Sequence, residues 1–224
     1  MKRSEINALP LQGDVSFRER AIEPRRTALL LIDLQKGEYN EPKIKAEPEH
    51  AYFWDRLAKM VIPNGQKLLA ACRGAGVEVL FTTVECYTLD GRDRSLDYKV
   101  SGIFFAKGSW EAQVLDELKP MPNEIVIPKM SSSVFISTNM EYVLGNLGIE
   151  YLMVMGLLTD QCVESAVRDA CDMGFLVTLI EDACATFTQE RHDATLRAIK
   201  GYCRRRKTEQ VVTELKGLHK QAAE

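Results

Sequence analysis

The stretch Thr27-Ala-Leu-Leu-Leu-Ile-Asp33 decides the fold class of this chain, because it is a continuous apolar run that ends in an acid. Continuous rather than alternating apolarity is typical of a strand covered on both faces, as in a parallel sheet. Other apolar runs of strand length follow it along the chain. They predict strands at 77–84, 124–127, 151–155 and 175–180, and a short edge strand at 202–206.

Helical periodicity separates these strands. It predicts helices at 52–73, divided by Pro63, at 110–118, 138–147, 161–173 and 189–200, and a last helix capped by Thr208. Regular alternation of strand and helix implies right-handed crossovers. We therefore expect an α/β, three-layer, doubly wound fold with a mostly parallel sheet of about six strands and helices on both faces. Residues 1–26 are predicted to be a polar N-terminal arm, and 27–224 a single domain.

The composition excludes several classes of protein. The chain has 224 residues, 29 Lys+Arg against 32 Asp+Glu, a net charge of -3 and 46% hydrophobic residues. This is apolar enough for a globular core and too evenly charged for nucleic acid to be the main partner. No apolar run approaches the length of a membrane span, and the N-terminus lacks the apolar stretch of a signal peptide. We expect a cytoplasmic protein whose six cysteines are reduced thiols.

Three reactive side chains follow predicted strands. Asp33 ends the first strand, Lys129 follows the third, and Cys162 opens the helix after the fourth. Each alone has an ordinary structural interpretation, as a loop acid, a solvated lysine or a small buried thiol. The carboxyl ends of parallel strands share one edge of the sheet, where such folds carry their chemistry. We therefore expect the three side chains to meet.

An acid, an amine and a thiol together suit nucleophilic catalysis. A cysteine attacks carbonyl carbon as a thiolate, and its ordinary pKa is about 8.5. The first turn of a helix stabilises the thiolate, and Thr159 or Asp160 is a reasonable N-cap that would place Cys162 there. The Lys129 ammonium would favour the anion, and the Asp33 carboxylate can accept the thiol proton.

Three separated motifs carry a family resemblance. They are Thr27–Asp33 with the following Leu34-Gln35, then Lys129-Met-Ser-Ser-Ser-Val-Phe135, then Gly156-Leu-Leu-Thr-Asp-Gln-Cys-Val163. In this order they resemble the isochorismatase-like hydrolase superfamily, and in particular its cysteine amidohydrolase branch. That branch includes nicotinamidase, N-carbamoylsarcosine amidase, ureidoacrylate amidohydrolase and biuret hydrolase. The resemblance extends from about Thr27 to Leu215.

The resemblance implies a role for each matched residue. Asp33 would be the general base, Lys129 its partner in the triad and Cys162 the nucleophile. A non-proline cis peptide at Leu157–Leu158 would turn the N–H of Leu158 toward that of Cys162, forming an oxyanion hole. The implied reaction is attack on an amide or ureido carbonyl, loss of ammonia or an amine, and hydrolysis of the thioester. Enzymes of this family also tend to be homodimers or homotetramers.

The chain departs from two branches of the family. Nicotinamidases bind a divalent metal through an acid and two histidines around strand two, whereas this chain has only His50, His192 and His219. None of them lies in 77–99, so we expect no metal or other cofactor, and nicotinamide becomes a less favoured substrate. Classical isochorismatases lack the cysteine. The metal-free branch, acting on linear amides, ureido or carbamoyl compounds, remains.

Substrate-binding residues are predicted from their positions after strands. Side chains just past the first and second strands should face the pocket, and carboxamides could bond a ureido group. The candidates are Gln35, Tyr39, Glu85, Tyr87 and Gln189. In the long loop 85–107, Arg92, Arg94 and Lys99 either bind a substrate carboxylate or pair with the aspartates of the same loop.

Three alternative functions stay open. The chain could be a binding or scaffold protein that kept the fold without catalysis, although its complete set of Asp33, Lys129 and Cys162 argues against that. It could be a nicotinamidase-like amidase. It could be a thiol redox protein, a weaker alternative because no resolving cysteine lies close to Cys162 in the sequence.

Overall fold

A computed structural model of the chain describes residues 13–221, with side chains as far as Leu218. Within that range one sheet is formed by β1 (Thr27–Ile32), β2 (Glu78–Val84), β3 (Ile125–Lys129), β4 (Tyr151–Leu157), β5 (Leu176–Ala185) and β6 (Arg204–Arg206). Every neighbouring pair is parallel, in the order β3-β2-β1-β4-β5-β6. The chain thus runs outward from β1 in both directions, which confirms the predicted doubly wound sheet.

Helices connect the strands and cover both faces. They are α1 (Glu41–Ala46), α2 (Ala51–Arg56), α3 (Ile62–Ala75), α4 (Leu96–Val100), α5 (Val134–Ser137), α6 (Met140–Asn146), α7 (Glu164–Asp172), α8 (Gln189–Ala198) and α9 (Thr208–Gln221). The last of them, α9, packs on α3, while α5 packs on α7. The connection from β1 to β2 contains α3, and the connection from β4 to β5 contains α7. The two connections run toward opposite edges of the sheet. Because such crossovers are right-handed, α3 and α7 lie on opposite faces. The central strand β1 is buried along its whole length.

Pro63 divides the long helix predicted at 52–73. A π-helical turn, Leu57–Val61, lies between α2 and α3, and Pro63 stands in the first turn of α3. Proline lacks the N–H that an α-helix needs, and it is tolerated where a helix begins. The prediction of an interruption at this position is confirmed.

The helix predicted at 110–118 is wrong. Only Asp116–Leu118 forms a short 3-10 turn there. Val114 makes an antiparallel bridge with Gln35, and the N–H of Leu115 donates to the carbonyl of Leu34. Leu115 and Leu118 are therefore buried against the chain that leaves β1 without forming a helix, whereas Trp110 is exposed. A second difference is the length of β5, which runs five residues beyond the predicted end at Ile180.

Residues 1–12 of the predicted N-terminal arm, 1–26, lie outside the described residues, and so do residues 222–224 at the other end of the chain. From Gly13 onward it contains two short 3-10 turns, Val15–Glu19 and Pro24–Arg26. The N–H of Ile22 donates to Glu214 of α9 over 2.7 Å. No helix in residues 13–221 is long and apolar enough to cross a membrane.

Gly156 allows β1 and β4 to approach each other closely at their carboxyl ends. Its φ is +128°, and a Cβ added there would lie 2.1 Å from the carbonyl oxygen of Ile32. We expect Gly156→Ala to destabilise the fold by roughly 3 kcal/mol or more, because both backbone and strand pairing must shift. Gly145→Ala is the matched control, since nothing lies within 4 Å of its added Cβ and it is helical. Urea unfolding of both variants tests this, and equal stabilities would contradict it.

Candidate active site

The three strand-end residues meet in one cluster. Nζ of Lys129 lies 2.7 Å from Oδ2 of Asp33 and 3.3 Å from Sγ of Cys162. All three side chains are buried. Strand register brings them together, because Ile32 pairs with Thr82 and Gly156, and Val84 pairs with Lys129. The cluster lies at the carboxyl edge of the sheet.

The end of β1 aims the Asp33 carboxylate. Asp33 has a φ of +55°, a left-handed conformation that aspartate and asparagine tolerate better than most residues. Its N–H donates to the carbonyl of Thr82 over 3.0 Å, and the Thr82 hydroxyl donates to Oδ1 over 2.8 Å. One carboxylate oxygen is thus held by β2, while the other faces Lys129.

Lys129 is the last residue of β3 and is fully buried. Burial alone would lower the pKa of its amine, but the charge of Asp33 and the neighbouring Cys162 outweigh it and raise that pKa. The lysine is therefore a fixed cation beside the thiol. Its Nζ also donates to the carbonyl of Ser131 over 2.9 Å.

Cys162 lies on a turn that begins at the end of β4. The peptide bond Leu157–Leu158 is cis, as the resemblance implied, and Thr159–Val163 forms a π-helical turn that continues into α7. The predicted N-cap is wrong, since Leu158 occupies that position without a side-chain cap. Asp160 instead accepts from Thr186 and Arg191, both at 2.5 Å.

A buried histidine supports the same turn from the α8 side. Nη2 of Arg56 lies 2.9 Å from Nε2 of His192, and Oγ1 of Thr159 lies 2.9 Å from Nδ1. Because arginine can only donate, Nε2 is the acceptor and Nδ1 carries the proton. Burial and the charge of Arg56 lower the pKa of His192 to about 4. The histidine is therefore neutral at physiological pH, and its Nδ1–H donates to the hydroxyl oxygen of Thr159.

The resting Cys162 is a thiol rather than the thiolate that its place in a first turn suggests. Burial raises its pKa to about 11, although Lys129 lowers it and Asp33 raises it further. Burial disfavours the charged form of any thiol, and a nearby carboxylate adds to that effect. Asp33 and Lys129 therefore carry the charges of the cluster, beside a protonated Cys162 thiol.

A cavity of about 450 Å³ opens onto the cluster. Its walls come from the ends of β1, β2 and β4 and from the loops beyond them. It is lined by Asp33, Glu38, Lys43, Val84, Asp97, Tyr98, Ser101, Ile103, Ser132, Leu157, Leu158, Gln161, Cys162 and Phe187. A larger cleft of about 580 Å³ lies at the opposite edge, before β4 and β5, and none of its lining residues is a cysteine or a lysine. The smaller cavity contains Cys162 together with the charged residues Asp33, Glu38, Lys43 and Asp97.

The structure does not bring the predicted substrate-binding side chains into this lining. Gln35 is fully buried, and its amide donates to the carbonyls of Val84 and Glu111 and accepts from the N–H of Val84. Its carboxamide is thus used to join β1 to β2.

The other four candidates also have partners elsewhere. Tyr39 packs against Trp54, and Glu85 accepts from the N–H of Gly108. The Tyr87 hydroxyl faces the carbonyl of Pro128, and Gln189 bonds Tyr52 and Asp193. A position just after a strand did not determine the direction of these side chains.

Two of the three cations proposed for substrate binding in the loop 85–107 form hydrogen bonds within the loop. Arg92 forms an ion pair with Asp90 at 3.1 Å. Arg94 donates to the carbonyls of Gly91 and Ile103. Of the cations in the described side chains, Lys43 lines the cavity instead, within 2.9 Å of Glu38.

Tyr98 is a site residue that the sequence interpretation missed. It is 2% exposed, and its hydroxyl lies 3.2 Å from Nζ of Lys129 and 3.6 Å from Sγ of Cys162. Neither a strand end nor a motif marks this tyrosine. The only signal was its place in a long loop, of a kind that is often functional.

Comparison with known proteins identifies the family. The sequence model of the Isochorismatase domain matches residues 27–212, which is most of the chain. The chain belongs to the isochorismatase family. Two curated relatives are each 33% identical to this isochorismatase-family chain, and both are named ureidoacrylate amidohydrolase RutB. The relative from Rhizobium rhizogenes aligns over 81% of this chain and 78% of its own length, and that from Agrobacterium fabrum over 72% and 77%.

Solved structures share the fold of this family member. A cysteine hydrolase from Pseudomonas syringae pv. phaseolicola 1448A has a TM-score of 0.76 at 23% identity, covering 88% of this chain and 96% of that one. N-carbamoylsarcosine amidase from Thermoplasma acidophilum has a TM-score of 0.64 at 20% identity, covering 82% and 96%. These likenesses concern the fold. The curated relatives, together with Cys162, place the chain in the cysteine hydrolase branch.

Proposed function

We propose that this protein is a cysteine amidohydrolase that cleaves a C–N bond in a small linear amide, ureido or carbamoyl compound. The observation that carries the proposal is the placement of Lys129 Nζ between Asp33 Oδ2 at 2.7 Å and Cys162 Sγ at 3.3 Å, beside the cavity. A base, a cation and a thiol in contact are what thiol acylation requires.

In the acylation step, Asp33 takes the proton of the Cys162 thiol as sulfur attacks the substrate carbonyl carbon. The raised pKa of the thiol means that this transfer accompanies attack, because little thiolate exists beforehand. A C–S bond forms, and the carbonyl oxygen takes up the negative charge. The tetrahedral intermediate then expels the nitrogen, which receives the proton from Asp33 and leaves as ammonia or an amine. A thioester remains on Cys162.

In the deacylation step water is the nucleophile and the Cys162 sulfur is the leaving group. Asp33, again a carboxylate, accepts a proton from water as the water oxygen attacks the thioester carbon. The C–S bond breaks, the acid product leaves, and the Asp33 proton returns to sulfur. Lys129 stays protonated throughout, because the charge of Asp33 and the neighbouring Cys162 outweigh the effect of burial and raise the pKa of its amine.

The turn that carries Cys162 would also stabilise the oxyanion. We assign that role to the backbone N–H groups of Leu158, which precedes the π-helical turn, and of Cys162, which lies within it, because both residues line the cavity. Donors aimed at a developing oxyanion contribute about 3 kcal/mol each to transition-state stabilisation.

The substrate class can be tested with an ammonia-release screen of the purified chain. Ureido acids come first, because the two curated relatives are named for ureidoacrylate. The panel adds carbamoyl amino acids, biuret, nicotinamide and simple amides. We expect release from at least one ureido or carbamoyl compound, dependent on Cys162. Release confined to nicotinamide would support the alternative amidase, and silence across the panel would support a binding protein.

Lys43 is positioned to bind the carboxylate of a ureido acid. It lines the cavity, is paired with Glu38 and is 27% exposed at its side chain. We expect Lys43→Met to raise KM for a ureido acid by roughly tenfold, the value of one charge-assisted hydrogen bond, with little change in kcat. KM for neutral biuret should stay the same.

Lys45→Met is the matched control for that variant. Lys45 lies on the same helix, α1, and pairs with exposed Glu41. Glu38→Gln adds an opposite test, because it removes the acid that competes for Lys43, and KM for the ureido acid should fall. Equal increases of KM for charged and neutral substrates in Lys43→Met would show that the lysine only supports the fold.

Activity is expected to need no metal ion. Residues 13–218 contain no group of three or more histidine, cysteine, aspartate or glutamate side chains arranged to hold one. His50 bonds Glu47, and His192 is bonded at both ring nitrogens. Prolonged chelator treatment should leave kcat unchanged. A loss of activity that added zinc or iron restores would overturn the expectation and favour the nicotinamidase-like alternative.

A further inference from the structure

Tyr98 reaches the triad from the loop between β2 and β3. It lies on α4, whose first turn is fixed by Ser95, since the Ser95 hydroxyl accepts from the N–H of Tyr98. The N–H of Ser95 in turn donates to the carbonyl of Met130 over 3.0 Å, which ties α4 to the end of β3. The phenol is thereby held beside Lys129 and Cys162, at 3.2 and 3.6 Å.

The hydrogen bonds of Lys129 fix the role of this phenol. The ammonium has three N–H donors. Two are used by the Asp33 carboxylate and the Ser131 carbonyl, both of which can only accept. The third is shared by the Tyr98 oxygen and the Cys162 sulfur. When Cys162 is a thiolate it has no proton to give, so the Tyr98 O–H becomes the donor between the two.

We propose that Tyr98 is a catalytic residue whose hydroxyl donates a hydrogen bond to the Cys162 sulfur as the thiolate forms. The phenol accepts an N–H from Lys129 and donates its own O–H to sulfur, so it extends the influence of the buried cation. The proposal rests on the proposed function only in taking Cys162 as the nucleophile. No bond to carbon is made or broken at Tyr98, and its proton stays on oxygen.

A phenol suits this task because it keeps its proton. Burial raises the pKa of Tyr98 well above its ordinary value, although Lys129 lowers it in part. A buried tyrosine that ionised would add a second anion beside the thiolate. Held neutral, Tyr98 is a donor throughout the cycle, and its ring closes one wall of the cavity.

Tyr98→Phe tests the proposal without any substrate. Phenylalanine keeps the ring and removes the donor. The rate of Cys162 alkylation by iodoacetamide, followed on its peptide by mass spectrometry at about pH 9, should fall roughly 10- to 100-fold, the value of a hydrogen bond to a charged group. Tyr151→Phe is the matched control. It also loses a buried hydroxyl, bonded to Glu23 over 3.0 Å, but at the amino end of β4. Its Cys162 labelling should match the wild type.

A folded Tyr98→Phe variant that labels like the wild type would overturn the proposal. If Tyr98→Phe does not fold, 3-fluorotyrosine at position 98 replaces it. Fluorine makes the phenol a stronger donor, so labelling should become faster, and an unchanged rate again overturns the proposal. Failure of the proposed function would be distinguishable, because it would show as hydrolysis surviving in Cys162→Ala, whatever the labelling of Tyr98→Phe.

Discussion

Cys162→Ala and Cys162→Ser are expected to lower turnover by roughly 10⁴- to 10⁶-fold, the range seen when an attacking group is removed. Alanine leaves no nucleophile. Serine leaves a hydroxyl that is far harder to deprotonate, in a site where burial already raises the pKa of the natural thiol to about 11. Both side chains are small enough for the same turn, so the fold should persist.

The measurement is ammonia release at saturating substrate, with thermal unfolding as the check on folding. Cys171→Ala is the control, because Cys171 is a free thiol on α7 whose sulfur donates to the carbonyl of Tyr202, outside the cavity. It should keep wild-type turnover. Near wild-type release from either folded Cys162 variant would show that the reaction proceeds without this sulfur.

Asp33→Asn is expected to slow acylation by about 10²- to 10⁴-fold, the usual value of a general base. Asparagine tolerates the left-handed φ of +55° and can still accept from the Thr82 hydroxyl, so the shape of the site is kept. What it loses is the acceptor of the thiol proton. Because the same group protonates the leaving nitrogen, both the attack of sulfur and the departure of the nitrogen should slow.

Single-turnover kinetics separate this effect from substrate binding. Asp172→Asn serves as the control, since Asp172 is an exposed carboxylate at the end of α7. An Asp33→Asn variant that acylates within a few-fold of the wild type would assign the base to another group.

The sequence predicted the reactive cluster because parallel strands must end at one edge. Asp33 and Lys129 needed only the positions of β1 and β3, and Cys162 only the turn after β4. Helical periodicity gave a wrong prediction at 110–118. There the chain pairs with the segment after β1, through a bridge between Val114 and Gln35, which lie about 80 positions apart. Local pattern contains no information about such partners.

The direction in which side chains point was a second feature that the sequence could not predict. Gln35 follows Asp33 by two residues, but its carboxamide forms hydrogen bonds with the backbone of Val84. Tyr98 does not directly follow a strand, and its position depends on the hydrogen bond between Ser95 and Met130 across the loop. The protonation state of Cys162 was also beyond the sequence. The first turn of a helix favours a thiolate, whereas burial, which only the folded chain reveals, opposes it.

The most direct test of the triad is the rate of Cys162 alkylation against pH in the wild type, Lys129→Met and Asp33→Asn. With a thiol pKa of about 11, the wild-type rate should rise steadily as the pH is raised from neutral toward that value. Lys129→Met removes the cation that favours the thiolate, so labelling should slow at every pH. Asp33→Asn removes the charge that opposes the thiolate and leaves Lys129 unpaired, so labelling should quicken even as turnover collapses. Shifts of opposite sign would establish that Asp33 and Lys129 act on the Cys162 sulfur, whereas a wild-type profile in a folded Lys129→Met would contradict it.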